Sequence, residues 1–203
     1  MKFKSNNQRK AVMSKIKSRG FTSPKEKQFV SVITDEFKLT PTDIQDSVKS
    51  IKLIKHKRGR DYAGIITKDR EIEISYKNGS SSKENRTTLR HELDHAYFMN
   101  KQKTDKEAIA KYAVKVGKRK PFTLNLELVQ GEISYDKKNG IKRPMIKGTD
   151  IDEEYVDEIH SETNEYLYRR KLGLPDVNLK KQKSLFNLPL FDKAVKAYNE
   201  LHK

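Results

Sequence analysis

The segment from Ser81 to Asn100, SSKENRTTLRHELDHAYFMN, constrains the chain most, because it joins strong helix signals to chemically active side chains. Ser81 and Glu84 match the S-x-x-E capping box, which predicts that a helix begins here. Four apolar residues then recur at helical spacing, and these are Leu89, Leu93, Ala96 and Tyr97. The segment therefore predicts an amphipathic helix that packs one apolar stripe against a core.

The other face of this helix carries the pattern HExxH, as His91-Glu92-Leu93-Asp94-His95. Residues four apart lie on the same helical face, so His91 and His95 can each offer a ring nitrogen to one ion at about 2.0–2.1 Å. Glu92 follows the first histidine and can accept a proton from a water molecule at the open position of that ion. The pattern predicts Zn²⁺ bound by His91 and His95, with Glu92 as a catalytic general base. The alternative is a solvated helix whose histidines pair with Glu92 and Asp94.

The composition predicts a small cytoplasmic protein with a modest core. Of 203 residues, 35% are charged and 34% are hydrophobic, and there is no cysteine, which excludes a disulfide framework. No apolar run is long enough for a membrane span, and no secretory h-region follows Met1. We therefore expect no membrane partner.

The net charge of +16 predicts attraction to polyanions. The charge is spread along the chain, mostly as lysine, in runs such as Lys52–Arg60, Lys115–Lys120 and Lys180–Lys183. Nucleic acid is therefore a candidate partner, although no recognised readout motif is present. The alternative is a lysine-rich surface of the kind common in thermophile proteins.

The residues before the HExxH helix predict a basic arm, a helix and a small antiparallel sheet. The arm covers residues 1–22 and contains a candidate helix at Asn6–Arg19, and Ser23-Pro24-Lys25-Glu26 begins a helix that ends near Leu39. The expected strands are Ile51–Lys57, Tyr62–Thr67 and Glu71–Lys77, of which the last two form a hairpin. We expect the last strand to lie along a cleft, where it can pair with an extended substrate.

The residues after the HExxH helix predict more helices and one insertion. A capping box at Thr104–Glu107 begins a helix through Val116, and Asp150–Leu172 predicts a long helix that Gly173 ends. Between them, residues 121–148 predict an inserted hairpin or flap with strands at Thr123–Val129 and Glu132–Tyr135. Residues 173–203 form a tail with a short amphipathic helix at Pro189–His202. The fold class is α+β, with the small sheet packed on the HExxH helix.

A catalytic zinc site needs a third protein ligand, which we expect from the helix Asp150–Leu172. Glu162 falls between Ile159 and Tyr166 on the inner face, where an unpaired carboxylate would be costly. Glu158, one turn earlier, is the alternative ligand or an outer group that hydrogen-bonds a ligand histidine. Tyr155 is a candidate for stabilising the transition state, and His160 is expected on the surface.

HELDH on a helix after a small sheet, with glutamates on a later helix, resembles the gluzincin metallopeptidases. Within them, residues 161–167, SETNEYL, are similar to the E-A-N-x-F-A stretch of the compact ImmA/IrrE-type peptidases. The resemblance covers roughly Ile51 to Leu172. It implies a zincin-like domain over residues 23–172 and an intracellular zinc endopeptidase that cleaves protein or peptide substrates, in that family DNA-binding repressors.

Two alternatives remain beside a general zinc endopeptidase. One is a DNA-associated protease, SprT-like or repressor-cleaving, that its basic surface tethers to nucleic acid. The other is a non-catalytic, zinc-stabilised interaction domain.

Overall fold

The computed structural model describes residues 14–56, 63–77, 80–118, 124–174 and 189–202. It is an α+β protein, as predicted, and the chain divides into two compact units, Met1–Tyr97 and Phe98–Lys203. None of the helices formed by these described segments is long and apolar enough to cross a membrane.

The first unit contains a four-stranded mixed sheet in the order β1-β2-β4-β3. Its strands are β1 (Ile16–Ser18), β2 (Ser50–Lys55), β3 (Gly64–Ile66) and β4 (Glu71–Tyr76). The predicted hairpin is confirmed, because β3 and β4 pair antiparallel. The expectation that the whole sheet is antiparallel is wrong, because β2 pairs parallel to both β1 and β4.

The parallel register has a physical reason in the apolar residues of the two central strands. Ile51 aligns with Ile72, and Leu53 aligns with Ile74. All four side chains are buried, and alternate residues of a strand share one face. This register therefore places both buried pairs on the same face of the sheet.

In the predicted N-terminal arm, Ser14 and Lys15 are helical as expected, but Ile16–Ser18 form a strand and not the end of the helix. Residues 1–13 lie outside the described residues, while β1 pairs with β2 through the register Ile16↔Ile51. Ile16 packs against the core of the first unit, so burial of its side chain together with the ladder hydrogen bonds favours the extended form.

Two helices, α1 (Pro24–Leu39) and α2 (Thr42–Ser47), lie between β1 and β2. The predicted start of α1 is confirmed, since Ser23 and Glu26 form a complete capping box. The HExxH helix is α3 (Ser82–Thr104), whose first residues belong to the first unit and whose last residues belong to the second. The core of the first unit joins α1, the sheet and α3 through buried residues that include Phe29, Ile33, Phe37, Ile51, Ile72, Leu89 and Leu93.

The second unit is helical. Its further helices are α4 (Lys106–Val116), α5 (Leu124–Lys138), α6 (Glu153–Lys171) and α7 (Pro189–Leu201). Their shared core includes Phe98, Ile109, Tyr112, Leu126, Tyr155, Ile159, Tyr166 and Phe191.

Helix α5 replaces the predicted hairpin or flap, so the strands expected at Thr123–Val129 and Glu132–Tyr135 are wrong. The alternation of polarity at residues 124–128 favoured a strand, but burial follows helical spacing. Leu126 is fully buried and Val129 and Ile133 pack on the core at i+3 and i+7, whereas Leu128 and Tyr135 are exposed. Residues 119–123 lie outside the described residues.

The ends of the remaining helices differ slightly from prediction. Asp105, and not Thr104, caps α4, because its carboxylate accepts the N–H of Ala108. Asp152 caps α6 by the same kind of bond. Gly173, with a φ of 66°, ends α6 as predicted, because the N–H of Leu174 bonds to the carbonyl of Arg169, six residues apart counted inclusively.

The residues between α5 and α6 are held by one side chain. Arg143 donates to Asp136, Asp152 and Glu154 at 2.6–2.8 Å. These carboxylates raise the pKa of the guanidinium, so it stays charged throughout the accessible range. After α6, residues 175–188 lie outside the described residues, and with them the lysine run Lys180–Lys183. The predicted amphipathic helix α7 is confirmed, with Phe191, Ala194 and Tyr198 buried.

Candidate active site

Helix α3 packs as its sequence predicts. Its apolar stripe, Leu89, Leu93, Ala96 and Tyr97, is buried in the core of the first unit. His91 and His95 are only half-buried, so their rings retain access to solvent. One face of α3 therefore packs in the core, and the other carries the two histidines.

The rings of His91 and His95 converge on one point. Their Nε2 atoms are 3.1 Å apart, with ring centroids separated by 4.7 Å and ring planes at 81°. Two nitrogens at 2.0–2.1 Å from one tetrahedral ion would be roughly 3.3–3.4 Å apart. The pair thus fits two adjacent ligand positions of a zinc ion within a few tenths of an ångström. Without metal, one ring can donate its N–H to the other.

Glu92 is only 6% exposed and lies against the backbone of β3. A Cβ atom placed on Gly64 would lie 2.7 Å from Oε1 and 2.8 Å from Cγ of Glu92, and 2.8 Å from Cγ2 of Thr88. Gly64 is therefore required by the close approach of strand to helix. Sequence reasoning missed this residue, although a glycine within a strand is a recognised sign of such an approach.

The strand beside Glu92 is β3 and not the strand that precedes the helix. The predicted cleft strand, β4, is interior, since it pairs with β2 on one side and β3 on the other. Within the described part of the chain, β3 pairs with β4 alone and so forms an edge of the sheet. An edge strand retains backbone donors and acceptors on its outer side.

An ion pair also ties α3 to α1 next to the histidines. Glu36 is 1% exposed, and its Oε1 accepts from Nε and Nη2 of Arg90 at 2.7 and 2.6 Å. Arg86, one turn earlier, lies 3.7 Å from the other oxygen. The two-pronged contact from Arg90 fixes the turn of α3 that immediately precedes His91. The sequence contained no periodic signal for this pair, because it joins residues 54 positions apart.

The candidate side chains from the later helix all lie on α6. Glu158 is half-buried and accepts from the side-chain amide of Asn125 at 3.3 Å, whereas Glu162 is 3% exposed. They are four residues apart and so share one face of α6. Tyr155 is buried at the start of that helix, and burial raises the pKa of its phenol to about 12. Its hydroxyl is therefore a neutral donor. The roles of these three residues at the metal remain predictions.

His160 is buried, so the expectation that it lies on the surface is wrong. It is fully buried among aromatic rings, and its Nε2 lies 3.0 Å from Nε2 of His202. The ring centroids of Phe98, Tyr112 and Tyr198 lie 4.8–5.5 Å from its own. The periodicity of α6 alone could not reveal this, because helix α7 covers the face that the sequence predicts to be exposed.

Comparison with known proteins adds no relative: no family model matches the chain, and no curated protein or solved structure matches it. The candidate site consequently rests on its own residues and their geometry.

Proposed function

We propose that the chain is a zinc-dependent endopeptidase whose site is built on α3. The observation that carries the proposal is the 3.1 Å separation of the Nε2 atoms of His91 and His95 on the half-buried face of α3, opposite its packed stripe. A carboxylate from α6 completes the ligand set, with Glu162 as the first candidate and Glu158 as the alternative. Three protein ligands leave a fourth position open, as catalysis requires.

Zinc at this site would supply a Lewis acid and lower the pKa of a bound water toward about 7. Glu92 accepts the proton of the attacking water and delivers it to the leaving amine. Its burial beside Gly64 supports this role, because a carboxylate held against a strand backbone has few orientations to choose from. Glu92 also directly follows His91, one of the two proposed histidine ligands, in the sequence.

The position of β3 suggests how a substrate would be held. An extended peptide can add to the outer edge of this strand through backbone hydrogen bonds. Because Gly64 contacts Glu92, a peptide paired there would run past the general base. The exposed side chain of Ile65 would contact alternate side chains of that peptide. This arrangement favours an endopeptidase that reads extended backbone over one that requires a chain end.

Metal analysis of the purified protein tests the proposal. We expect about one zinc per chain by elemental mass spectrometry, as one three-ligand site requires. His91→Ala and His95→Ala should each lower the zinc content strongly and abolish peptide hydrolysis. His56→Ala is the matched control, because His56 follows β2 and not the HExxH helix, and its Nδ1 lies 3.4 Å from the hydroxyl of Ser75. Stoichiometric zinc in the double mutant would show that His91 and His95 are not the ligands.

A further inference from the structure

The first turns of α1 and α3 line a cavity of about 320 Å³ within the first unit. Its polar lining consists of Lys25, Gln28, Tyr76, Ser80, Ser81, Ser82 and Asn85. The cavity shares none of its lining residues with the proposed peptidase site.

Asn85 is the residue that points to a ligand. It is 8% exposed and lines the cavity, yet its side-chain amide has no hydrogen-bond partner within the described part of the chain. Its backbone N–H donates to the carbonyl of Ser81, so only the side chain can bind a ligand. The amide therefore offers donors and an acceptor to a ligand in the cavity.

The cavity is rich in donors and positive in charge. Lys25 is its one charged side chain, and no acidic residue lines it among the described residues. The capping boxes occupy the N–H groups of Glu26 and Glu84, but those of Lys25 and Ser82 meet no acceptor in the segments that the structure describes. Two helix N-termini facing one space favour an anion there.

The capping carboxylate of α1 does not cancel this preference. Glu26 accepts the N–H groups of Thr22 and Ser23 and pairs with Lys55 at 2.8 Å. These contacts lower the pKa of Glu26 to about 2, the bond from Lys55 being the largest cause. The negative charge of Glu26 is therefore paired with Lys55, which does not line the cavity.

We propose that this cavity binds the phosphoryl group of a small phosphate monoester. A tetrahedral group with three outer oxygens can accept from both helix N-termini, from Lys25 and from the amide of Asn85 at once. The half-buried ring of Tyr76 lines the remaining space, with the buried ring of Phe29 behind it at a centroid distance of 5.3 Å, and offers an apolar surface to a sugar or base. A nucleoside monophosphate is the simplest molecule that combines these parts.

Calorimetric titration of the full chain at fixed ionic strength tests the proposal. The probes are inorganic phosphate, adenosine 5′-monophosphate and adenosine. Both phosphates should bind, and adenosine should not. Lys25→Gln should weaken binding about tenfold, the usual effect of losing one charged hydrogen bond. Lys27→Gln is the matched control, because Lys27 is an exposed lysine of the same helix and does not line the cavity.

Asn85→Leu separates a binding role from a structural one. The substitution keeps the shape of the side chain and removes an amide that has no partner among the described residues, so thermal stability should stay level or rise while phosphate binding falls about tenfold. Loss of stability with unchanged binding would show that Asn85 is structural and overturn the proposal. Equal losses in Lys25→Gln and Lys27→Gln would overturn it as well, since they would reduce binding to general charge attraction.

A second pair of probes distinguishes a small phosphate monoester from the terminal phosphate of a nucleic acid. A 5′-phosphorylated oligonucleotide is compared with its unphosphorylated form. Binding of adenosine 5′-monophosphate at least as tight as that of the phosphorylated strand supports the small ligand. Binding of the oligonucleotide alone, or of no probe, would refute it.

Discussion

The contact between Gly64 and Glu92 is the tightest constraint on the candidate site. A Cβ on Gly64 would stand 2.7 Å from the carboxylate oxygen, a distance that real Cβ atoms do not tolerate, so either the strand or Glu92 must move. Displacement of a catalytic group by about 1 Å can cost about 10²-fold in rate. We therefore expect Gly64→Ala to lower peptide hydrolysis by about 10–10²-fold while zinc content is kept.

Gly131→Ala is the control for that substitution. Gly131 lies within α5, and a Cβ there would meet nothing within 4 Å. It should leave hydrolysis unchanged and raise stability by about 0.5–1 kcal/mol, the usual gain of alanine over glycine in a helix. Equal activity of Gly64→Ala and the wild type would show that Glu92 does not need its observed position.

The role of Glu92 itself is tested by an isosteric change. Glu92→Gln keeps the shape and hydrogen-bonding reach of the side chain but cannot accept the proton. Peptide hydrolysis should fall by about 10²–10⁴-fold, the usual share of a general base, with zinc and the melting temperature unchanged. Zinc binding without turnover in the wild type as well would favour the non-catalytic interaction domain.

The third metal ligand is expected from helix α6, which offers two candidate glutamates. Glu158 and Glu162 share one face but differ in burial, since Glu162 is almost wholly buried and Glu158 is within reach of solvent and of Asn125. With Glu162 as ligand, Glu162→Ala should abolish zinc binding, and Glu158→Ala should weaken it by about 10–100-fold as an outer contact. Competition with a chelator of known affinity measures both. The reverse order would assign the ligand to Glu158, and no effect from either would exclude both glutamates as ligands.

The helices and strands show which signals the sequence carries by itself. The capping box at Ser23, the stripe on α3 and the glycine after α6 are local, and each was predicted close to its observed place. The parallel register of β2 and the burial of His160 depend on partners distant in sequence, and no local pattern specifies them. The prediction for the residues of α5 was wrong for another reason. Five residues of alternating polarity indicated a strand, and the helical spacing of the apolar residues is evident only once their packing on the core is known.

The candidate site divides in the same way. His91, Glu92 and His95 follow from one motif, because their spacing alone places both histidines on one helical face. Gly64 and the pair Glu36–Arg90 could not be predicted, since they depend on how α3 lies against β3 and α1. His91, Glu92 and His95 are thus local in sequence, whereas Gly64 and the pair Glu36–Arg90, which position them, are not.

The charge of the entire chain gives the last prediction. With a net charge of +16, the protein should bind duplex DNA without regard to sequence, and this binding should weaken steeply with salt. An interface that neutralises about four phosphates would lose about 10²-fold in affinity between 50 and 200 mM salt. Fluorescence anisotropy with two unrelated 20-base-pair duplexes measures the slope, and a poly-glutamate competitor should displace both duplexes, because the attraction is to negative charge in general.

If DNA also tethers the enzyme, a protein substrate bound to the same duplex should be cleaved faster than the free substrate at 50 mM salt, and the difference should vanish at 200 mM. Glu92→Gln is the control, because it should bind DNA like the wild type and cleave neither substrate. Tight DNA binding with no gain in cleavage would contradict the tethering hypothesis and show that the positive charge serves solubility or general attraction. Absence of salt-dependent binding would remove nucleic acid as a partner and leave the general endopeptidase.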